Sequence, residues 1–524
     1  MRRRGFTARR AAPCVLALVA GVAGAQNAQP VKPDSPRSQA PSSSVEPFRS
    51  SAAPLTLGEC IRRALANGFD LELQRQDLAI AQEDVPIARS LFDPVISAKG
   101  ARSSDRSAHD SDVPDLRSTG VTSQIGVAQR LRSGTSVTLG SSLDRFASNQ
   151  PVTIINGTTL TTTTNSLSYS SGLTLGITQP LLKGFGSVNS IPIRQAEITT
   201  EIAAQSYQDR ALDVIQRTEA AYYLLSGARD QLSVFRTSQQ LAERLLKEAD
   251  ARHTAGMATK LDILEAQVGI ANAKLNVLQS ENAVRSSEDE LLALIGRFEF
   301  DTAIGATIVD DSPDTVPTFE SSYALAMEHQ PALRNARSAL ELTRLQLALA
   351  KDDLKPSLDL DFALGVTGDD RARSRAWSNA FEPERSAWQA GLSVTYPLGR
   401  QGEKARFRQA THALTRDELA MHQLEQNVLL SIRNAIRSVQ TNRESVRLAA
   451  LASNLAQEQY EAERIRYRSG LSTSRRVLEA QTDLEAARVA ELQTKLNLRT
   501  ALSALYRIEG SSLDHYGITL DPVH

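Results

Sequence analysis

Gly256-Met257-Ala258-Thr259, followed closely by Leu264-Glu265-Ala266-Gln267, decides the fold of this chain because the pattern occurs twice. The second copy is Gly470-Leu471-Ser472-Thr473, followed by Leu478-Glu479-Ala480-Gln481. The last four residues are identical in the two copies, which lie 214 residues apart. If other segments of the chain also match at a constant offset, the repeat indicates a duplicated fold.

Further correspondences lie on the N-terminal side of this pattern. They pair Thr56 with Thr318, Pro94 with Pro356, and the segment 175–181 with 392–398. The first two pairs share an offset of 262 residues. Ordered matches at constant offsets indicate a tandem duplication. The first copy is longer by 45 residues, all of which lie between Pro94 and Pro180.

Each copy has the pattern of a helix, strands, a very long helix, a tight turn and a helix. Thr56 and Thr318 are suitable N-cap residues for the first helix of each copy, which is predicted to end before Pro94 in one copy and before Pro356 in the other. The long helices are predicted over about 188–253 and 402–468. At 1.5 Å per residue each spans about 100 Å. Helices of that length pack side by side rather than inside one globular core.

Between the helices the hydrophobic period changes to two, which is typical of strands. The alternating segments are 125–131, 135–143, 167–177, 358–364 and 392–396. Arg132-Ser133-Gly134 is predicted to turn the chain between the first two of them. The polar segment 149–165 is predicted as a loop outside a barrel. Trp377 and Trp388 favour an aromatic girdle at a lipid interface, with ordinary loop packing as the alternative.

The N-terminal 25 residues have the three parts of a secretory signal. Five arginines precede an apolar run over 11–25, which ends in the small residues Ala23-Gly24-Ala25. The run is shorter than the roughly 20 residues that a membrane-spanning helix needs. Residues 26–54 contain six prolines among Ser, Gln and Ala, and are predicted to form a disordered leader.

These patterns divide the chain into six parts. They are a signal peptide (1–25), a Pro- and Ser-rich leader (26–54), a first structural repeat (55–296), a linker (297–317), a second structural repeat (318–510) and a C-terminal tail (511–524). The first repeat is expected to hold strands at about 95–180 and a helical hairpin at 188–296. The second is expected to hold strands at about 357–397 and a helical hairpin at 402–508.

The composition excludes several classes of function. Lys and Arg number 59 against 60 Asp and Glu, and this near-zero balance argues against a nucleic-acid binder. Two cysteines and 7 histidines offer neither a disulfide framework nor a recognisable metal-ligand cluster. Gly184-Phe185-Gly186 lacks the third glycine of a dinucleotide-binding loop and is interpreted as a turn. The sequence therefore predicts no cofactor, no metal site and no catalytic residues, and indicates that the protein is not an enzyme.

In five features the sequence resembles the TolC family of outer-membrane efflux proteins. These features are the signal peptide, the duplicated unit, Gln179-Pro180-Leu181, the glycines Gly256 and Gly470, and the paired Leu-Glu-Ala-Gln segments. The resemblance covers about residues 55–510. It implies a mixed α/β membrane protein, in which a TolC-like trimeric β-barrel with about four strands per protomer continues into a long α-helical periplasmic barrel. Independently, four strands are too few to close a barrel, since the smallest barrels use about eight, so the residues also require oligomerisation.

The 45 additional residues contain a candidate hairpin near 121–143, which either extends the extracellular side or enlarges the barrel. The resemblance implies a passive exit duct of a tripartite efflux pump for small molecules. Its partners would be two further copies of the chain, a periplasmic adaptor (membrane fusion) protein, an inner-membrane RND or ABC transporter and outer-membrane lipid, with no nucleic acid. Two alternatives remain open: the outer-membrane component of a type I protein secretion system, and a periplasmic coiled-coil scaffold without a membrane domain. The alternating strands argue against the scaffold.

The resemblance also implies two sets of site residues. Adaptor docking would use the tips of the helical hairpins at Ala255, Gly256, Met257, Ser469, Gly470 and Leu471. A periplasmic gate would use Asp262, Tyr467, Arg476 and Glu479. An arginine of the family's gate is missing here, because Ser472 occupies its position, and Arg476 reverses the charge of a family acidic ring. Arg476 is therefore expected either to replace the lost partner of Asp262 or to pair with Glu479.

Overall fold

The computed structural model describes residues 55–107, 116–155, 159–296, 307–308 and 317–520. The predicted signal peptide and leader lie outside these described residues, as does most of the predicted linker. The helices are α1 (Leu57–Asn67), α2 (Phe69–Arg89), α3 (Ile191–Thr254), α4 (Lys260–Leu294), α5 (Phe319–His329), α6 (Pro331–Asp352), α7 (Arg373–Ala380), α8 (Gln401–Arg468), α9 (Ser474–Glu509) and α10 (Ser512–His515). The strands are β1 (Leu55–Thr56), β2 (Val95–Ser107), β3 (Leu116–Arg130), β4 (Ser136–Ile155), β5 (Thr159–Pro180), β6 (Thr307–Ile308), β7 (Ser357–Asp370) and β8 (Ser386–Thr395).

The duplication is visible in how the short helices begin and break. The Thr56 hydroxyl accepts a hydrogen bond from the Glu59 amide at 3.4 Å, and the Thr318 hydroxyl accepts one from the Ser321 amide at 3.3 Å. One helix was expected after each threonine, but the structure has two. The break falls at Gly68 in one repeat and at the matching position, Gln330, in the other. Both residues adopt an extended backbone conformation, with ψ of 124° and 118°, which ends the helical hydrogen bonding.

The two helical hairpins also end in the same way. Gly296 and Gly510, which lie 214 residues apart, have φ of +76° and +75°. A Cβ atom at Gly296 would lie 2.2 Å from the carbonyl oxygen of Asn67, and one at Gly510 would lie 2.9 Å from the carbonyl carbon of His329. Both positions therefore require glycine for two reasons. The backbone has a positive φ, and a neighbouring backbone segment leaves no room for a Cβ atom.

In the part of the chain that the structure describes, three hydrophobic cores hold the helices together. One core packs Cys60 of α1 against Tyr222 of α3 and Leu291 of α4. The equivalent core of the second repeat packs Ala326 of α5 against Ile432 of α8. A third core joins α3, α8 and α9 near the hairpin tips. Because α3 and α8 contain 64 and 68 residues, each is about 100 Å long, as their sequence predicts.

Six antiparallel strands form one sheet in the order β2-β3-β4-β5-β7-β8. The expectation of about four strands is therefore wrong for this chain. The additional pair is β3 and β4, which come from the 45-residue insertion in the first repeat. β3 pairs with β2 and β4, and β4 pairs with β3 and β5, so the inserted hairpin lies inside the sheet rather than beyond it.

The predicted polar loop at 149–165 is also wrong. β4 continues to Ile155 and β5 begins at Thr159, and these two strands are paired as far as Ile155 opposite Thr159. The segment is rich in threonine, whose branched β-carbon favours extended backbone. Polarity indicated a loop here, but the β-propensity of the same residues prevailed.

One face of the sheet is apolar across its full width. Adjacent strands place six residues in a single transverse row: Ile96, Val127, Leu139, Leu175, Leu364 and Trp388. The neighbouring row on the opposite face is Ser97, Gly126, Gly140, Thr174, Gly365 and Ala387. Because side chains alternate along each strand, the sheet has an apolar face and a face of small and polar residues. Trp388 lies in the apolar row. Trp377 of α7 instead stacks on Phe381, the C-cap residue of that helix, with the two ring centres 6.5 Å apart.

Within the described ranges, no helix combines the length and the apolar character needed to cross a membrane.

Candidate functional site

The turns that close the two helical hairpins have the same backbone geometry. Gly256 follows α3 with φ of +71°, and Gly470 follows α8 with φ of +79°. The next amide in each turn donates back across the helix end, Met257 to the Arg252 carbonyl at 2.7 Å and Leu471 to the Arg466 carbonyl at 2.8 Å. This is a Schellman motif, in which glycine occupies the left-handed position after the helix.

All six residues predicted for the tips lie in these two turns. Ala255 and Ser469 are the C-cap residues, and the glycines follow them. Met257 and Leu471 come next, with 68% and 74% of their surfaces exposed. Each tip therefore presents a large, mostly exposed apolar side chain to solvent.

Arg252 of α3 reaches across to the second hairpin. Its guanidinium lies 4.5 Å from the centre of the Tyr467 ring and donates a hydrogen bond to the Tyr467 backbone carbonyl. Tyr467 itself is only 4% exposed, and this burial raises the pKa of its hydroxyl. A stacked arginine of this kind is worth about 0.5–2 kcal/mol. Arg252 therefore links the tips of the two hairpins.

Asp262 lies in the first turn of α4, where it has a structural role. The Thr259 amide and hydroxyl donate to its carboxylate at 2.8 and 2.7 Å, and the Asp262 amide donates back to the Thr259 hydroxyl. This capping box holds the pKa of Asp262 below its ordinary value, and the charge of Arg252 lowers that pKa further. Asp262, Tyr467 and Arg252 thus form one group, which we call the tip network.

A buried serine connects the tip network to α9. The Ser474 hydroxyl lies 2.8 Å from a carboxylate oxygen of Asp262 and 2.8 Å from one of Glu265. Because a hydroxyl carries one hydrogen, Ser474 donates to one carboxylate at a time. The two carboxylates of α4 therefore compete for this donor.

Arg476 makes neither of the two pairings expected for it. The cation beside Asp262 is Arg252, and Glu479 is bonded to Arg475 at 3.1 Å. Arg475 lies one helical turn before Glu479, and so reaches it along the same helix face. Arg476 is exposed on α9 and forms no ion pair with another described residue. The Ser472 hydroxyl, at the position of the missing arginine, donates instead to Glu463.

The repeated Leu-Glu-Ala-Gln segments differ in their environments. Gln481 donates to the Ser238 carbonyl at 2.8 Å and to its hydroxyl at 3.0 Å, and so joins α9 to α3 in the buried interior. Its counterpart Gln267 is exposed on α4. Ala266 and Ala480, in contrast, are both buried. The glutamine of the repeated segment therefore contacts a neighbouring helix in the second repeat and solvent in the first.

Residues 60–297 and 323–511 match the family model described as outer membrane efflux protein. The chain belongs to that family. It is accordingly an outer-membrane protein of a transport-channel family and not an enzyme. Among the residues that the structure describes, no group of three or more His, Cys, Asp or Glu is arranged to hold a metal ion.

Individual relatives give the same result. The chain is 22% identical to outer membrane protein TolC of Escherichia coli over 312 residues, which cover 57% of this chain and 63% of TolC. It is 25% identical to the pyoverdine export outer membrane protein OpmQ of Pseudomonas aeruginosa over 321 residues, which cover 58% of this chain and 63% of OpmQ. The matched part thus spans less than two thirds of either relative.

The fold is shared more widely than the sequence. The crystal structure of the outer membrane protein VceC of Vibrio cholerae superposes with a TM-score of 0.64 at 16% identity, and covers 87% of this chain and 96% of VceC. The similarity in fold therefore extends over most of both chains.

Proposed function

We propose that this member of the outer membrane efflux protein family is the passive exit duct of a tripartite pump for small molecules. The observation that carries the proposal is the joining, in one chain, of a sheet with a largely apolar face to two helical hairpins with exposed apolar tips. The sheet would lie in the outer membrane, with its polar face lining the duct. The hairpins would extend the duct across the periplasm.

Closure of the barrel requires more than one copy of the chain. Strands β2 and β8 are the two edges of the six-stranded sheet and each is paired on one side only. An open edge in a membrane leaves backbone groups without hydrogen-bond partners, so β8 of one copy would pair with β2 of the next. Three copies would form a barrel of eighteen strands, wide enough for an aqueous channel.

The helical hairpins support the same assembly. α3 of the first repeat packs against α9 of the second repeat, with Gln481 bonded to Ser238 between them. By the internal duplication, α8 would pack in the same manner against α4, which here can come only from a neighbouring copy. The faces concerned are exposed and apolar, with Leu264, Val268 and Leu275 on α4 and Leu448, Leu451 and Leu455 on α8. This contact would also bury Gln267.

The gate is assigned to the tip network together with two exposed residues of α9. Within one protomer Arg252 contacts Tyr467 and lies beside Asp262, and so links the first hairpin to the second. Arg476 and Glu479 remain candidates for the lining of the constriction, where a ring of arginines lowers the preference for cations.

The tips are proposed to dock on a periplasmic adaptor that joins the duct to an inner-membrane pump of the RND or ABC class. Met257→Asp combined with Leu471→Asp should reduce drug resistance of the producing cells to that of cells lacking the duct. The physical reason is that a carboxylate at each tip would have to be desolvated without a partner on docking. Resistance and adaptor co-purification measure the effect, and immunoblots of membrane fractions measure the amount of trimer.

The matched control is Met257→Leu with Leu471→Met, which keeps an apolar side chain at each tip. It should retain resistance and adaptor binding. Full resistance in the aspartate variant, at normal membrane levels, would place the docking surface elsewhere.

A further inference from the structure

The two faces of the sheet differ in the sign of the charged side chains that they carry. Over the strand residues whose side chains the structure describes, the apolar face carries four arginines and a single acid, Asp370. The arginines are Arg102, Arg106, Arg117 and Arg145. The polar face carries five acids and two bases, Lys99 and Arg130. Those five acids are Asp105, Asp144, Asp359, Asp361 and Asp369. These four arginines, which we call the arginine belt, give the described part of the apolar face a net positive charge.

The register confines the arginine belt to one end of the apolar face. Arg102 pairs with Val121, Val121 with Arg145, and Arg145 with Tyr169, so these residues form one transverse row. Strands are about 4.8 Å apart, which separates Arg102 from Arg145 by about 10 Å. Arg106 and Arg117 are directly paired, further from the helices.

The height of this row matches a membrane boundary. Asp370 belongs to the row and lies twelve residues beyond Leu358, the first apolar residue of β7. Twelve residues span about 40 Å along a strand, or about 30 Å along the membrane normal at a tilt near 40°. An outward apolar band is about 25 Å tall. The arginine belt consequently lies just past the apolar band, on the side away from the helices.

Helix α7 strengthens the positive character of this end. It packs on the same face, where the Ser171 hydroxyl donates to the Ala376 carbonyl at 2.9 Å. Its Arg375 is bonded to Asp370 at 3.3 Å and so neutralises the one acid of the face. Its Arg373 is exposed. A positive, outward-facing rim between apolar surface and solvent is complementary to anionic lipid headgroups.

We propose that the arginine belt binds the phosphate groups of phosphorylated lipids in the outer leaflet. This inference rests on the proposed function, which places the apolar face in the membrane with the helices on the periplasmic side. Arginine is suited to the role because its planar guanidinium binds phosphate through two parallel hydrogen bonds. Tyr169, beside Arg145, is the kind of amphipathic side chain that favours a membrane interface.

The test uses the full-length protein purified in detergent, with the heat stability of the oligomer followed on gels. The probes are bisphosphorylated lipid A, the same lipid with its phosphates removed, and inorganic phosphate. The wild-type oligomer should be stabilised by the phosphorylated lipid alone. In Arg102→Gln/Arg117→Gln/Arg145→Gln, the lipid concentration needed for half of that stabilisation should rise about tenfold or more, since several charge-assisted hydrogen bonds are lost.

The matched control, Arg437→Gln/Arg443→Gln, removes two exposed arginines of α8 and should respond as the wild type does. Equal stabilisation of the wild type by the phosphorylated and dephosphorylated lipids would overturn the proposal, even if the triple variant failed to fold. Stabilisation by inorganic phosphate alone would overturn it as well. Channel recordings on the wild-type protein distinguish failure of this proposal from failure of the proposed function. A protein that conducts but shows no effect of the lipid phosphates would refute only lipid binding by the arginine belt. A protein that forms no channel would refute the proposed exit duct.

Discussion

Leu139→Arg is expected to abolish stable assembly of this protein in the outer membrane. Leu139 lies in the transverse apolar row, with Val127 and Leu175 beside it on the neighbouring strands. An arginine on the lipid face near the middle of the bilayer costs about 2–4 kcal/mol. Three copies would multiply this cost, so we expect the heat-resistant trimer to disappear from the outer-membrane fraction on gels.

The control for this variant is the adjacent residue. Thr138→Arg adds the same side chain to the same strand, but on the small, polar face. We expect it to assemble normally, because a lumen residue contacts water rather than lipid. Equal loss of trimer in both variants would indicate a general folding defect, and normal assembly of Leu139→Arg would show that the apolar face does not contact lipid.

Arg252→Ala is expected to open the tips and to raise single-channel conductance several-fold in planar bilayers. The substitution removes the cation stacked on Tyr467, the hydrogen bond to its carbonyl and the positive charge beside Asp262. Each protomer would lose about 0.5–2 kcal/mol from the stacking contact alone. The third core, around Tyr460 and Leu245, would remain, so the trimer should persist.

Tyr467→Phe is the matched control, because it keeps both the ring and the backbone carbonyl that Arg252 contacts. Its conductance should stay close to that of the wild type. If Arg252→Ala also conducts as the wild type does, the constriction does not depend on the tip network.

The parts of the fold that the sequence predicts well depend on local signals. Thr56 and Thr318 cap their helices, and Gly256 and Gly470 adopt positive φ, because the residue type at one position determines each feature. The long helices were predicted from their uninterrupted hydrophobic periodicity, which is also a local signal. The break at Gln330 was not predicted, although Pro331 follows it directly and disfavours a helical backbone at the residue before it.

The parts that it does not predict depend on pairing between distant segments. The alternation at 125–143 predicts a hairpin, but whether that hairpin joins the sheet is decided by its register with β2 and β5. The role of Arg252 was missed for a similar reason. Arg252 lies four residues before Gly256, and Arg466 lies four residues before Gly470. Nothing in the neighbouring sequence indicates that Arg252 is the one that stacks on Tyr467.

Electron cryomicroscopy of the full-length protein, extracted from the outer membrane, would show directly whether three six-stranded sheets close into one barrel. We expect a three-fold symmetric particle whose membrane part is a closed barrel of eighteen strands, with β8 of each copy paired with β2 of the next and continuous with a helical tunnel. A barrel of twelve strands with β3 and β4 outside it, or a sheet that closes within one copy, would exclude this assembly.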